Sequence, residues 1–217
     1  MQCAGRVAIV TGASRGIGAG IALRLAAEGA AVAPVGRTAT PDPSTGPGSL
    51  AETAAQIEGI GGRAHAIVAD LSDPTVDRGA IVDDARHALG AIDILVNNAA
   101  ACFYLPYDRV TDRRYAVMFE VNVHAPWDLS RAVLPDMTGR AQGWILNISS
   151  GTAAHPVGPP FTPFHAEQGA TRYGTSKAAL ALCTVDPDRI TGRALTSAEV
   201  LAELGRPVHT LDGTARL

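Results

Sequence analysis

Cysteine is scarce in this chain: Cys3, Cys102 and Cys183 are the three among 217 residues. An odd count at such wide spacing excludes a disulfide framework as the source of stability, and no Cys/His spacing suits zinc or another metal. Excess basic charge is missing too. The formal net charge is −3 and the pI is near 6.0, which argues against nucleic acid and anionic membranes as partners. No apolar run reaches the roughly 18 residues that a membrane-spanning helix needs. The opening Met1-Gln2-Cys3-Ala4-Gly5-Arg6 lacks the character of a signal peptide. The cytoplasm is the expected location.

What is present suits one globular domain over residues 1–217. Hydrophobic residues make up 47% and charged residues 18%, and the length is sufficient to bury a core. The pattern is strand then helix, repeated. Residues 7–10 form a short β-branched run, followed by helical spacing at Ile17, Ile21 and Leu25 with Gly29 as a stop. Further strands are expected at 30–35, 65–69, 92–96 and 144–148. Residues 38–48, rich in Pro and Gly, form a loop. Ser49-Leu50-Ala51-Glu52 is a capping box opening a helix that ends near Gly61-Gly62. Ser72 is expected to cap a helix running toward Gly90, and a long helical region spans about 111–133. Strands apolar on both faces, alternating with helices, are the pattern of a doubly wound parallel α/β sheet.

Residues 11–18 read Thr11-Gly12-Ala13-Ser14-Arg15-Gly16-Ile17-Gly18 and join the first strand to the first helix. Glycines there allow a tight turn, and the helix N-terminus attracts a pyrophosphate. A glycine-rich turn is weak evidence alone, but its place at the first βα crossover is the confirming context. No Gly-Lys-[Ser/Thr] follows, so it is not a kinase-type phosphate loop. The second strand ends at Val35-Gly36-Arg37-Thr38. An acid there would suit a ribose 2′-hydroxyl, whereas arginine suits a 2′-phosphate. Arg37 with Arg15 therefore favours NADP over NAD, though either arginine alone reads better as a solvated surface charge.

Tyr173 and Lys177 stand four residues apart, one turn apart on one helix face. A neighbouring ammonium favours phenolate, so the Tyr173 pKa is expected to fall toward the range useful for proton exchange with an alcohol or carbonyl. Phe103, Tyr104, Phe161 and Phe164 are candidates for lining an apolar substrate pocket, and equally for ordinary packing. His155 and His165 read as surface or loop residues.

With Asp70-Leu71, Asn97-Asn98-Ala99-Ala100, Asn122, Asn147-Ile148-Ser149-Ser150 and the Tyr173-x3-Lys177 pair in this order, the chain resembles the short-chain dehydrogenase/reductase family over residues 5 to about 182. The resemblance implies a Rossmann-like fold and hydride transfer between a nicotinamide and a carbinol carbon. It implies Tyr173 as general acid/base and Lys177 as its modulator and ribose ligand. Ser150 would bond the substrate oxygen, and Asn122 would support a proton relay. Gly12, Ser14, Arg15, Gly16, Ile17, Gly18, Arg37, Thr38, Asp70, Leu71, Asn98, Ala99 and Ala100 would hold the cofactor together with Tyr173 and Lys177. Homo-oligomers are expected by resemblance. Taken singly, Asn122 reads equally as a buried amide, Ser149 and Ser150 as a strand end, and Asp70 as a helix cap.

Three departures stand out. Ala100 replaces a glycine of the family pattern. Ser150 and Tyr173 lie further apart than in the family, and the long loop 151–172 between them holds Pro156, Gly158, Pro159, Pro160 and Pro163. After Lys177, Asp186-Pro187 disfavours further helix, and no β-branched run resembles the sixth strand. A βα unit with its substrate loop is expected to be missing at about 181–186, either deleted or concealed as a gap, and 186–217 form a C-terminal tail. The C-terminal part is thus incomplete relative to the family, with the edge of the fifth strand left to be covered by something else. The functional expectation is an NADP-preferring oxidoreductase, with NAD possible, acting on a small carbonyl or alcohol. The alternative is an NADP-binding protein with little catalysis.

Overall fold

The computed structural model describes residues 1–153, 171–182 and 191–195. β1, Val7–Thr11, is buried along its whole length. Its side chains alternate between two faces, as a strand requires. Val7 and Ile9 enter one core cluster, and Ala8 and Val10 enter the other. That two-sided burial explains why the strand reads as an unbroken apolar run.

α1 spans Gly16–Ala27, and β2 spans Ala31–Gly36. α2, Leu50–Gly59, starts at Ser49. Glu52 N donates to Ser49 Oγ at 3.2 Å and Ser49 Oγ donates to Glu52 Oε2 at 2.9 Å, so the capping pair forms where the sequence placed it. Residues 38–48 loop out around a 3-10 turn, Pro43–Thr45. The third strand is interrupted, with β3 at Arg63–Ala64 and β4 at Ile67–Val68. α3, Arg78–Leu89, is capped by Asp77, whose carboxylate accepts from Gly79 N and Ala80 N. This corrects the expected cap at Ser72. Ser72 instead donates through N and Oγ to Asp70 Oδ1, a side-chain turn that competes with helix formation.

β5 is Ile94–Asn97. α4, Asp112–Phe119, passes into a π-helical turn, Glu120–His124, and then into α5, Ala125–Gly139. Pro126 accounts for the widened turn. Its ring would clash with the carbonyl four residues earlier, at Asn122, in a regular helix. β6 is Trp144–Ile148, α6 is Thr171–Leu182 and β7 is Thr191–Leu195.

The strands form one parallel sheet in the order β3-β2-β1-β5-β6-β7, with β4 also paired to β2. One core cluster joins the sheet to Ile81, Val82, Ala85, Leu129, Val133 and Met137 of α3 and α5. The other joins it to Ile21, Ala22, Ala26 and Ile57 of α1 and α2. Burying a side chain such as Leu129 contributes about 1.5–3 kcal/mol.

The sixth strand position is filled, contrary to the sequence expectation. β7 pairs with β6 in register from Trp144↔Thr191 to Ile148↔Leu195. Only Thr191 in it is β-branched. Backbone groups along the open edge of β6 supply the pairing, and these need no side-chain signature. Residues 183–190, within which most of the expected missing unit falls, lie outside the described residues, as do 154–170 and 196–217.

Candidate active site

The turn from β1 into α1 is held against the end of β5. Thr11, 1% exposed, is the junction. Its Oγ1 donates to Val96 O at 3.3 Å and accepts from Asn98 N and Ala99 N, each at 3.0 Å. The Asn98 amide donates back to Thr11 O at 2.9 Å. Gly12 has φ +66, and a Cβ there would stand 2.8 Å from Ala99 Cα. Both the conformation and the approach therefore require glycine. Ala100 carries no such demand. Ala141 is the one non-glycine with positive φ among the described residues, which explains how alanine stands in for the family's glycine.

A cavity of about 890 Å³ opens beside this turn. Gly12, Ser14, Arg15, Arg37, Thr38, Asp70, Leu71, Asn98, Ala99 and Ala100 all line it, and Asp42 of the 38–48 loop joins them. Arg15 Nη2 donates to Gly48 O at 3.0 Å and to Thr38 Oγ1 at 3.3 Å, tying the loop to the turn. Arg37 is 71% exposed and 3.9 Å from Asp70 Oδ2, an arrangement that leaves it loosely held. Five expected cofactor residues are not on the lining: Gly16, Ile17, Gly18, Tyr173 and Lys177. Ile17 packs on the core. Gly16 contributes a positive φ, and a Cβ on Gly18 would meet Gly12 O, so these glycines shape the turn.

Cys102 and Phe103 close the far end of the cavity. Beyond them the four expected catalytic residues come together from three elements. Asn122, fully buried in the π-helical turn, accepts from Ala101 N and donates to Ala101 O, both at 2.9 Å, and donates to Ser176 Oγ at 3.0 Å. Ser176 Oγ donates to Tyr173 O at 2.8 Å. The Ser150 side chain stands near enough to the Tyr173 phenol to lower its pKa. Ser150 Oγ in turn lies 2.9 Å from Thr152 Oγ1 and accepts from Thr152 N at 3.2 Å. Gly174 permits this contact: a Cβ there would stand 2.1 Å from Thr152 O, so α6 approaches the turn after β6 only with glycine at that position. Lys177, 1% exposed, donates from Nζ to Ile148 O at 2.9 Å. Thr11, Ser176, Gly174 and Cys102 were missed by the sequence reading because their parts depend on contacts across elements.

The electrostatics correct one expectation. The Tyr173 pKa is raised, chiefly by burial and then by the Cys102 charge, against a lowering effect of Ser150. Lys177 does not lower it in this state. The ammonium is turned to the Ile148 carbonyl, 6.0 Å from the Tyr173 ring centroid. Burial brings Lys177 itself down to about 8. Tyr104 packs edge-on against Tyr173, with centroids 5.8 Å apart. Burial and its bond to Cys102 push Tyr104 up to about 12. Partial burial also raises the Cys102 thiol. Among the described residues no group of His, Cys, Asp or Glu could hold a metal ion, and no helix is long and apolar enough to cross a membrane.

Known proteins resemble this chain in sequence and fold. The human Hydroxysteroid dehydrogenase-like protein 2 is 34% identical over 181 residues, covering 83% of this chain and 42% of its own length. The chain thus spans less than half of that relative. A metagenomic short-chain oxidoreductase solved in complex with NADP superposes with a TM-score of 0.73 at 29% identity, over 90% of this chain and 83% of its own. A short chain dehydrogenase from Mycobacterium paratuberculosis bound to NAD gives 0.66 at 33% identity, over 83% and 65%. The short chain dehydrogenase profile matches residues 6–186. Sheet order, glycine turn and sequence likeness converge, and the chain belongs to the short chain dehydrogenase family.

Proposed function

We propose that this chain is an NADP-preferring oxidoreductase, able to use NAD, that interconverts a small carbonyl compound and its alcohol. The residues present fit a dinucleotide. The glycine turn opens onto the α1 N-terminus, a Cβ at Gly12 would fill the approach, and the cavity runs from Arg37 to Cys102. Gly12, Ser14, Arg15, Asn98 and Ala99 would hold the phosphates and nearer ribose, Asp70 and Leu71 the base, and Arg37 a 2′-phosphate. Lys177 would hold the nicotinamide ribose. When bound, the nicotinamide supplies or accepts the hydride.

The observation that carries this reading is the placement of Ser150 beside Tyr173, near enough to lower its pKa, on the helix that also carries the buried Lys177. A carbonyl oxygen bridging the Ser150 hydroxyl and the Tyr173 phenol would be oriented by the first and receive a proton from the second. A raised phenol pKa keeps that proton in place at neutral pH, which suits reduction. Asn122 holds Ser176 and Ala101, linking the cavity wall to the helix that carries both Tyr173 and Lys177. By family likeness the protein is a homo-oligomer paired through its long helices.

Fluorescence titration with NADPH and NADH, alongside turnover on a panel of aldehydes and ketones, tests the proposal. NADPH binding tighter than NADH, with oxidation of NADPH by at least one carbonyl, is expected. Binding without turnover on the whole panel would leave a nucleotide-binding protein, and absence of binding would overturn both.

A further inference from the structure

Arg78, the first residue of α3, is 7% exposed and stands behind the cavity rather than in it. Its Nη2 donates to Leu71 O at 3.4 Å, to Asp73 O at 3.2 Å and to Glu120 Oε1 at 2.5 Å. Its Nη1 lies 3.8 Å from Asp128 Oδ2. The two backbone carbonyls belong to the loop that supplies Asp70, Leu71 and Ser72 to one wall of the cavity. Glu120 precedes Val121, which lines another wall together with Val117. Glu120 also opens the π-helical turn that carries Asn122. One buried guanidinium thus bonds two segments that line the cavity, the loop of Leu71 and the turn of Val121.

Stability alone is a poor reason for such a group. Taking an arginine and a glutamate out of water costs several kcal/mol, and an apolar pair of similar volume often does as well or better. Arg78 Nε even lacks a hydrogen-bond partner, a further cost. What the planar guanidinium does provide is geometry, since its fork bonds several acceptors in fixed directions. We infer that Arg78, through Glu120, is a positioning residue that fixes the spacing between the Leu71 loop and the Val121 turn, and so the width of the slot for the cofactor's base. The same bond holds the turn that carries Asn122. The inference rests on the dinucleotide reading above.

The test separates positioning from stability. Arg78→Met/Glu120→Leu removes the clamp and replaces the ion pair with an apolar contact, so the fold and Tm should be kept. Its affinity for adenosine 2′,5′-bisphosphate, the base end alone, should fall roughly tenfold or more, as expected when a binding wall shifts by a fraction of an ångström. Glu120→Gln should weaken the same probe, although Glu120 does not line the cavity. Arg78→Lys keeps a charge for Glu120 without the fork. It should recover kcat on the best substrate of the panel while KM for NADPH stays raised. Unchanged affinity for the bisphosphate in the folded double variant would overturn the inference while wild-type NADPH binding stands. Failure of the wild type to bind NADPH or the bisphosphate would overturn the dinucleotide reading and this inference together. If the double variant does not fold, Glu120→Gln and Arg78→Lys decide, and wild-type values in both would overturn it.

Discussion

Lys177 lies one helical turn from Tyr173, yet its ammonium donates to the carbonyl of Ile148 at 2.9 Å, and not to the phenol. The ammonium is therefore held by the end of β6 rather than by the phenol. Burial dominates both groups: it raises Tyr173 and brings Lys177 down to about 8.

Tyr173→Phe removes the phenolic proton and keeps the ring that packs against Tyr104. Turnover should fall by about 10²–10⁴-fold, the usual contribution of a general acid, while the NADPH dissociation constant stays near the wild-type value. Steady-state kinetics with fluorescence titration checks both. Unchanged kcat would remove Tyr173 from the proton-transfer role.

Lys177→Met should abolish turnover and stabilise the cofactor-free fold at pH 7. A lysine with folded pKa of about 8, against its ordinary value of 10.5, binds its proton less tightly in the folded state. Below pH 8 both states are charged and the burial penalty is full. Between about 8 and 10.5 the folded state releases its proton first, so wild-type stability rises with pH. The penalty is on the order of 3 kcal/mol, offset by about 1 kcal/mol for the hydrogen bond to Ile148 that the variant loses. Thermal melts of both proteins from pH 7 to 10.5 should show the variant's advantage shrinking. A gap that stays constant would contradict this account.

Cys102→Ser should lower the Tyr173 pKa, because the Cys102 charge is among the causes that raise it. The phenolate absorbance titration, read as the difference between each protein and its Tyr173→Phe counterpart, measures this directly. In reduction the phenol must hold its proton, so the rate should stay flat through neutral pH and fall on the alkaline side. That limb should move to lower pH in Cys102→Ser. An identical limb would exclude electrostatic contact between the two groups.

Arg37→Asp should invert the coenzyme preference. The substitution places an acid beside Asp70 at the cavity rim, repelling a 2′-phosphate and offering an acceptor to a ribose 2′-hydroxyl. The ratio of kcat/KM for NADPH over NADH should drop by at least about tenfold, the effect of 1.4 kcal/mol. A ratio that does not move would take Arg37 out of the phosphate site and leave Arg15 as the candidate.

The alternation of strands and helices was readable because each strand is buried on both faces, which leaves unbroken runs such as Val7–Thr11. The Ser49 cap was readable because its partner Glu52 is only three residues away. Ser72 misled for a related reason. Its hydroxyl does bond locally, but to Asp70 behind it, and sequence does not say which way such a side chain turns. β7 was not readable because its pairing is made by backbone groups along β6.

The same division holds for the site. Residue types and order along the chain sufficed to nominate the glycine turn, Asn122, Ser150, Tyr173 and Lys177, because their chemistry is local and strand ends gather at one edge of a parallel sheet. Which atoms face one another was decided by tertiary structure alone. Thr11 joins two loops separated by 87 positions, Gly174 admits Thr152, and Arg78 reaches Glu120 across 42. Burial is a property of the packed chain, and here burial reversed the direction expected for the Tyr173 pKa.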